Sequence, residues 1–405
     1  MSLKTRYNNQ ENWQKKVIVL WVGTFLTGIG MSSVLPFLPL YIQTLGSFSK
    51  AEVNLYTSLA FSATFLVSAV VSPIWGRLAD RYGRKPMLIR AASGMAVVMF
   101  LMAFVTDAWQ IVALRFILGG FNGYIANANA LVANQTPSKQ VGRALGIIAT
   151  GFTAGSLIGP LFGGVTASIF GYRTSFIITA LFLSLVVLLT IFLVDEKKPE
   201  QNKEIATDNF STVWSQIDNG KLLVGIFFTS MFIQTALNSI NPIMSLFVKE
   251  LTNNSAQTAL LAGFVAAAPG ITTILFAPRF GNIGEKIGTE KLAMIGFLIG
   301  AIAIIPSAFA TNVWMLFGFR LLAGVANAAM NPVIQTLLAK KTQKKFINRV
   351  FSFNQSFQAM GNFFGPLLGG LVASQYGYRA VFIVSGILLI FNLFYFRFFT
   401  KKAAN

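Results

Sequence analysis

Residues 76–86 place one carboxylate, four cations, two glycines and a proline within eleven positions, in the order Gly-Arg-Leu-Ala-Asp-Arg-Tyr-Gly-Arg-Lys-Pro. The flanking stretches are nearly uncharged: 53–75 has no charge, and 87–106 has only Arg90. An acid among several bases can form ion pairs that open and close, which is the chemistry of a conformational latch. A segment with this many charges cannot lie in hydrocarbon. We therefore predict that it is a tight connection at a membrane surface.

This segment resembles the loop signature between the second and third spans of the major facilitator superfamily of transporters. The resemblance implies a latch in which an ion pair of Asp80 holds one side of a transporter shut and is released as its halves rock. The matching latch residues are Gly76, Asp80, Arg81, Gly83 and Arg84. The alternative is a basic cluster that only sets membrane topology.

Arg115 is the most costly residue of the predicted N-terminal half, because a centred Arg costs about 2.5–3.5 kcal/mol on insertion scales. Arg115, Asn122 and Asn129 are seven positions apart and therefore share one helical stripe. The surrounding sequence resembles the family's fourth-span motif, whose arginine is implicated in proton transfer. Asp80 and Arg115 are thus the candidates for proton coupling. Alternatively, Arg115 snorkels to the interface, since Trp109 is only six residues away.

The predicted fifth span has a glycine at every fourth position, which gives a groove where another helix can approach closely. With its neighbours this stripe resembles the family's antiporter motif, which is typical of exporters that exchange substrate for protons. The residues are Gly155, Gly159, Pro160, Gly163 and Gly164. Helix packing without a transport role is the alternative.

Amides within apolar spans tend to face a bundle interior or a wet cavity. Together with methionine and aromatic side chains they predict an adaptable, uncharged pocket. The candidates are Met31, Phe37, Asn122, Tyr124, Asn129, Met231, Gln234, Asn238, Asn241, Asn327, Asn331, Asn354, Phe357 and Gln358. Hydrogen bonding between helices, without ligand contact, is the alternative for each amide.

Several kinds of chemistry are not expected. The chain has no cysteine and no histidine, and all 13 acids fall in loops or at span ends. We therefore predict no metal, no cofactor and no enzymatic activity. The sequence has no phosphate-binding Gly-x-x-x-x-Gly-Lys-Ser/Thr motif, which disfavours ATP-driven transport. A coupling proton would have to be carried by an acid near a span end.

Composition identifies the elements that position these residues. The chain of 405 residues is 54% hydrophobic and 11% charged, whereas soluble domains have about 25% charged residues. Apolar stretches at 17–45, 51–75, 87–106, 109–133, 144–168, 172–194, 221–248, 256–278, 291–311, 313–339, 350–374 and 379–397 predict twelve transmembrane helices. The predicted domains are a lead (1–16), two six-helix bundles (17–194 and 221–397), a linker (195–220) and a tail (398–405).

The two bundles are predicted to be pseudo-twofold-related repeats. Trp109, Arg115 and Gly119 recur 205 positions later, and Gly159-Pro160 recurs 206 positions later as Gly365-Pro366. The fold class is therefore an all-α integral membrane protein of the major facilitator type. Most of the 32 lysines and arginines lie on one predicted side, which places both termini in the cytoplasm of a cell-membrane protein.

The resemblance is strongest to the twelve-span drug:proton antiporter branch of the family. It implies a monomeric secondary transporter that exports amphipathic drugs in exchange for protons through rocker-switch alternating access. The expected partners are a small-molecule substrate, protons and the lipid bilayer, and no nucleic acid. A proton-coupled sugar or metabolite exporter and a non-transporting receptor or lipid-handling protein are the alternatives.

Overall fold

The computed structural model describes residues 3–137, 140–196, 220–253, 255, 257–343 and 347–402. The described chain forms α1 (Leu3–Ser32), α2 (Leu38–Gln43), α3 (Lys50–Tyr82), α4 (Arg84–Met102), α5 (Ala108–Phe121), α6 (Tyr124–Gln135), α7 (Val141–Phe170), α8 (Tyr172–Leu193), α9 (Gly220–Asn238), α10 (Met244–Leu251), α11 (Thr258–Ile287), α12 (Thr289–Ser307), α13 (Val313–Lys341), α14 (Ile347–Tyr376) and α15 (Tyr378–Lys402). Most of the predicted linker lies outside the described residues, and the domain boundaries stay predictions.

The helices confirm the all-α membrane fold. Within the described ranges, eleven helical stretches are long and apolar enough to cross a membrane. The remaining span is α14, whose hydropathy is lowered by amides such as Asn354, Gln358 and Asn362. Helices α1–α8 form an N-terminal bundle and α9–α15 form a C-terminal bundle.

Equivalent contacts recur in the two bundles. Ser33 Oγ lies 3.4 Å from Thr179 Oγ1 in the first bundle, and Ser239 Oγ lies 2.6 Å from Ser385 Oγ in the second. The first and seventh spans are also interrupted at matching places, over 33–37 and 239–243. Each interruption contains a proline, Pro36 or Pro242, which cannot donate to the preceding helical turn. The repeat seen in the sequence is therefore a repeat of local structure.

The bundles meet along α3 against α14 and α7 against α11. Hydrogen bonds between the bundles run from Ser62 Oγ to the Phe363 carbonyl oxygen (2.8 Å) and from Lys249 Nζ to Gln43 Oε1 (2.6 Å). These contacts lie towards the end of the molecule remote from the start of α1 and the end of α15. We call the end that includes Gln43 and Lys249 the closed end.

Part of the charged segment is helical, which corrects the prediction of a connection over 76–86. Residues 76–82 are the last two turns of α3, and α4 begins at Arg84. Gly83, with φ of 99°, makes the whole reversal, because the absence of a Cβ allows this backbone conformation. Gly288, 205 positions later, makes the corresponding turn in the second bundle with φ of 97°.

Candidate functional site

The Gly83 turn carries the predicted latch residues. Arg84, the first residue of α4, forms an ion pair with Asp80, which lies four residues earlier near the end of α3. Arg84 Nη1 also donates to Asn127 Oδ1 at 3.5 Å, which connects the turn to α6. All of these residues belong to the N-terminal bundle, so the Asp80 pair does not join the two bundles in this conformation. The side chain of Asp80 is 56% exposed, which leaves its carboxylate accessible to another partner.

Glu196, the second residue of the predicted linker, caps the start of α4. Its carboxylate accepts hydrogen bonds from the backbone N–H groups of Arg84 (2.6 Å) and Lys85 (2.8 Å). A carboxylate at this position satisfies free N–H groups and lies at the positive end of the helix dipole. Glu196 therefore fastens the chain after α8 to the Gly83 turn.

A partly enclosed pocket lies within the N-terminal bundle, between α1, α3, α4, α5 and α8. It is a small cavity of about 60 Å³, and most of its wall is apolar. It includes two of the predicted cavity residues, Met31 and Asn122, and the candidate coupling residue Arg115. Its other lining residues are Gly30, Leu35, Phe61, Thr64, Phe65, Met95, Met99, Leu118 and Leu183.

Arg115 is buried within the bundle and does not snorkel to the interface. Its residue is only 4% exposed. Its Cζ lies 5.2 Å from the centroid of the Phe61 ring, a cation–π distance. Among the described residues, its Nε and Nη2 atoms have no hydrogen-bond partner. The pocket thus has a cation whose hydrogen-bonding capacity is unfilled.

The fourth span is broken beside this pocket, between α5 and α6. Asn122 ends α5, and Gly123 has φ of 123°, which favours glycine. Arg90 of α4 donates to the carbonyl oxygens of Gly120 (3.3 Å) and Asn122 (3.2 Å). Its guanidinium also stacks 3.7 Å from the centroid of the Trp75 ring. Arg90 was not among the predicted functional residues, although it is the only charge within 87–106.

Replacing Arg90 with leucine should lower the free energy of unfolding by about 2 kcal/mol, because two carbonyl oxygens lose a charged donor and Trp75 loses a cation. The check is thermal unfolding of purified protein in detergent. Arg279→Leu is the control, because Arg279 is exposed and donates to the Leu275 carbonyl of its own helix (2.7 Å). Equal melting of the two variants would contradict a supporting role for Arg90.

The glycine stripe of α7 faces two different neighbours. A Cβ built on Gly155, Gly159 or Gly163 would collide with backbone or side-chain atoms of the first span. A Cβ on Gly164 would instead lie 2.6 Å from the Ala259 carbonyl oxygen of α11, in the other bundle. The Pro160 carbonyl oxygen would lie 2.6 Å from a Cβ on Gly263 of α11. The stripe therefore serves packing within one bundle and contact between bundles.

In the C-terminal bundle, predicted amides form a connected chain. Asn238 Nδ2 donates to Gln234 Oε1 (3.3 Å) and to Asn362 Oδ1 (2.9 Å), and Asn241 Nδ2 donates to Asn238 Oδ1 (2.9 Å). Asn362 was missed because the amides of α14 were assigned only to the stripe through residues 354 and 358. These amides bind one another, so helix-to-helix hydrogen bonding describes them in this conformation.

The remaining predicted cavity residues are dispersed. Phe37 is fully buried against Tyr172 and Phe176, and the Tyr124 hydroxyl lies 3.2 Å from Thr190 Oγ1. Phe357 packs on Phe227 and Phe228. Asn354 is buried, Asn129, Met231, Asn327 and Gln358 are partly buried, and the side chain of Asn331 lies outside the described part of the structure. Their contact with substrate stays a prediction.

Three comparisons bear on the identity of the chain. The sequence profile described as Major Facilitator Superfamily matches residues 20–238 and 222–405. The chain is 42% identical over 395 residues to the multidrug resistance protein MdtG of Proteus mirabilis, with 98% of this chain and 97% of the relative covered. It is 43% identical over 385 residues to MdtG of Salmonella arizonae, with 95% of each covered.

Solved structures show the same fold at low sequence identity. A bacterial homologue of the human lysosomal transporter Spinster, in an inward-facing and occupied conformation, superposes with a TM-score of 0.80 at 16% identity, covering 95% of this chain and 96% of the other. The nucleoside transporter NupG superposes with a TM-score of 0.76 at 16% identity, covering 96% and 99%.

Proposed function

Because the chain belongs to the Major Facilitator Superfamily, as a multi-pass membrane transporter and not an enzyme, we propose that it exports varied amphipathic drugs in exchange for protons. The observation that carries the proposal is the pocket around Arg115, whose three methionines and two phenylalanines give a deformable apolar wall. Relatives named as multidrug resistance proteins match almost the full chain, which supports the same class of substrate.

The proposed transport cycle is a rocking of the two bundles about their contacts, which join α3 to α14 and α7 to α11. Placing both termini in the cytoplasm, as the distribution of lysines and arginines favours, turns the closed end to the outside. In this proposal the structure represents a state open to the cytoplasm, in which a drug enters the pocket around Arg115 before export. Rocking would break the Lys249–Gln43 contact and bring the Gly83 turn towards the C-terminal bundle.

Asp80 is the favoured proton carrier and latch in this proposal. It is an exposed acid at a span end, and it is already paired with a cation of its own bundle. Exchange of that partner for one in the other bundle would link the charge of Asp80 to the conformational change. Arg115 is the second coupling candidate, because its unfilled donors would respond to charge in the pocket.

The test is uptake by proteoliposomes with an imposed pH gradient and a panel of cationic, neutral and zwitterionic drugs. We expect several chemically different drugs to move in a gradient-dependent manner, and an uncoupler to abolish the movement. Labelled sugars form a second arm, because a neutral metabolite is the alternative substrate and would have to exchange the hydrogen bonds among the amides around Asn238 for bonds to its own hydroxyls. Transport of sugars alone, or of nothing, would contradict drug export.

Asp80→Asn should slow drug transport about tenfold, which corresponds to the loss of about 1.4 kcal/mol from the latched state. Insertion and folding should be unchanged, because an exposed ion pair contributes only about 0–1 kcal/mol to stability. The rate is measured in proteoliposomes, and the inserted amount in membranes. Glu290→Gln is the control, since it removes another exposed pair, with Lys341 at 3.7 Å. A wild-type rate in Asp80→Asn would reduce the turn to a topology signal.

A further inference from the structure

The pocket around Arg115 has a charge that nothing in the described protein neutralises. Among the described residues, the ion pairs join Arg84 to Asp80 and Lys341 to Glu290, and neither involves Arg115. Asp107, the acid nearest to Arg115 along α5, already accepts a hydrogen bond from the Trp109 N–H at 2.7 Å. Eight residues of helix separate Asp107 from Arg115, about 12 Å along the axis.

An aromatic ring contacts the guanidinium, but among the described residues no protein group accepts a hydrogen bond from its Nε or Nη2. Phe61 provides a cation–π contact, and Thr64 Oγ1 donates to the backbone carbonyl of Arg115 (2.9 Å) instead of accepting from the side chain. Nε and Nη2 remain buried and unpaired among the described residues. A buried charged donor without a partner is costly, so such a site favours a ligand that brings the missing acceptor.

We propose that Arg115 is the recognition point for amphipathic organic anions, with the oxyanion group of the ligand on the guanidinium and its apolar body among the pocket methionines and phenylalanines. A planar guanidinium binds a carboxylate or sulfonate through two parallel hydrogen bonds, which gives it geometric selectivity over a point charge. Met95, Met99 and Phe65 form an apolar part of the wall, which the aromatic part of a ligand can contact. The proposal rests on drug export, for which it names a preferred substrate class.

The experiment compares three dansyl probes that differ in charge: dansylglycine (anion), dansylamide (neutral) and dansylcadaverine (cation). Binding to purified full-length protein in detergent is followed by dansyl fluorescence, without any gradient. We expect dansylglycine to bind at least about tenfold more tightly than the other two, the gain expected from a charged hydrogen bond worth about 1.4 kcal/mol. Equal affinity for the three probes in the wild-type protein would overturn the proposal without the use of any variant.

Variants then locate the selectivity. Arg115→Met should weaken dansylglycine binding about tenfold and so remove most of its advantage over dansylamide, and Arg115→Lys should retain part of the preference. Arg320→Met is the matched control, because it removes the arginine at the equivalent repeat position, and it should bind dansylglycine like wild type. Unchanged dansylglycine affinity in a folded, monodisperse Arg115→Met protein would overturn the assignment.

Chloride is the other anion that could occupy the guanidinium, and a titration in gluconate against chloride buffers separates the two. Dansylglycine binding that persists in chloride supports an organic-anion site. Arg115-dependent stabilisation by chloride, with no dansylglycine binding in either buffer, would overturn it. Binding of dansylglycine without drug transport in proteoliposomes would reject drug export alone, whereas drug transport without anion preference would reject this inference alone.

Discussion

Gly164→Leu should leave the protein folded, hold its closed end apart and reduce transport at least about tenfold. Gly164 of α7 packs on α11 of the other bundle, where a Cβ would lie 2.6 Å from the Ala259 carbonyl oxygen and 3.1 Å from Gly263 Cα. A leucine cannot be accommodated against backbone atoms unless the two helices separate. Because those helices belong to different bundles, rocking relieves the clash without unfolding either bundle.

The absence of cysteine makes this prediction simple to measure. Gln43→Cys and Lys249→Cys form a reporter pair at the closed end, where the native side chains are 2.6 Å apart. We expect efficient cross-linking in the otherwise wild-type chain and little in Gly164→Leu. Gly146→Leu is the control on the same helix, since a Cβ there has no neighbour within 4 Å. Full cross-linking in Gly164→Leu would contradict the proposed role of this contact.

Gly163→Leu, one residue earlier, should instead destabilise the protein by about 3 kcal/mol or more and sharply reduce the yield of folded material. A Cβ at this position would overlap the carbonyl group of Ser33 in the first span. The first span and α7 belong to the same bundle, so rocking cannot separate them. The backbone of Ser33 also cannot rotate away as a side chain would.

Thermal unfolding and size-exclusion behaviour in detergent test this difference, again beside Gly146→Leu. Gly369→Leu should reproduce the effect, because a Cβ there would overlap the Ser239 carbonyl in the equivalent place of the second bundle. A Gly163→Leu protein that melts like wild type but does not transport would show that this glycine acts in the conformational change.

The sequence predicted the elements better than the contacts. Runs of apolar residues, the repeat and the glycine stripe depend on composition and spacing, which the sequence displays directly. Broken helices were not predicted, because Pro36 and Pro242 lie within runs whose hydropathy continues through them. The extension of α3 to Tyr82 was also not predicted, because a charged segment outside the membrane can remain helical.

Site residues were harder to predict for a related reason. The direction of a side chain depends on the rotation of its helix within the bundle, which packing sets. Met31 and Asn122 line the pocket together with Arg115, as predicted for cavity residues, whereas Phe37 and Tyr124 are buried in the core. Arg90 and Glu196 bind backbone groups of distant segments, so no local pattern distinguishes them from ordinary surface charges.

The break between α5 and α6 makes the two related bundles mechanically unequal. Ala328 of the tenth span stands at the repeat position of Gly123, and Ile295 of the ninth span stands at that of Arg90. The second bundle therefore has neither the permissive residue nor the cation at this place, and α13 runs through unbroken. One bundle thus has an interrupted helix beside its pocket, and the other has a continuous helix at the equivalent place. Because an interrupted helix bends more easily than a continuous one, we expect any change of span angle during transport to be larger in the first bundle.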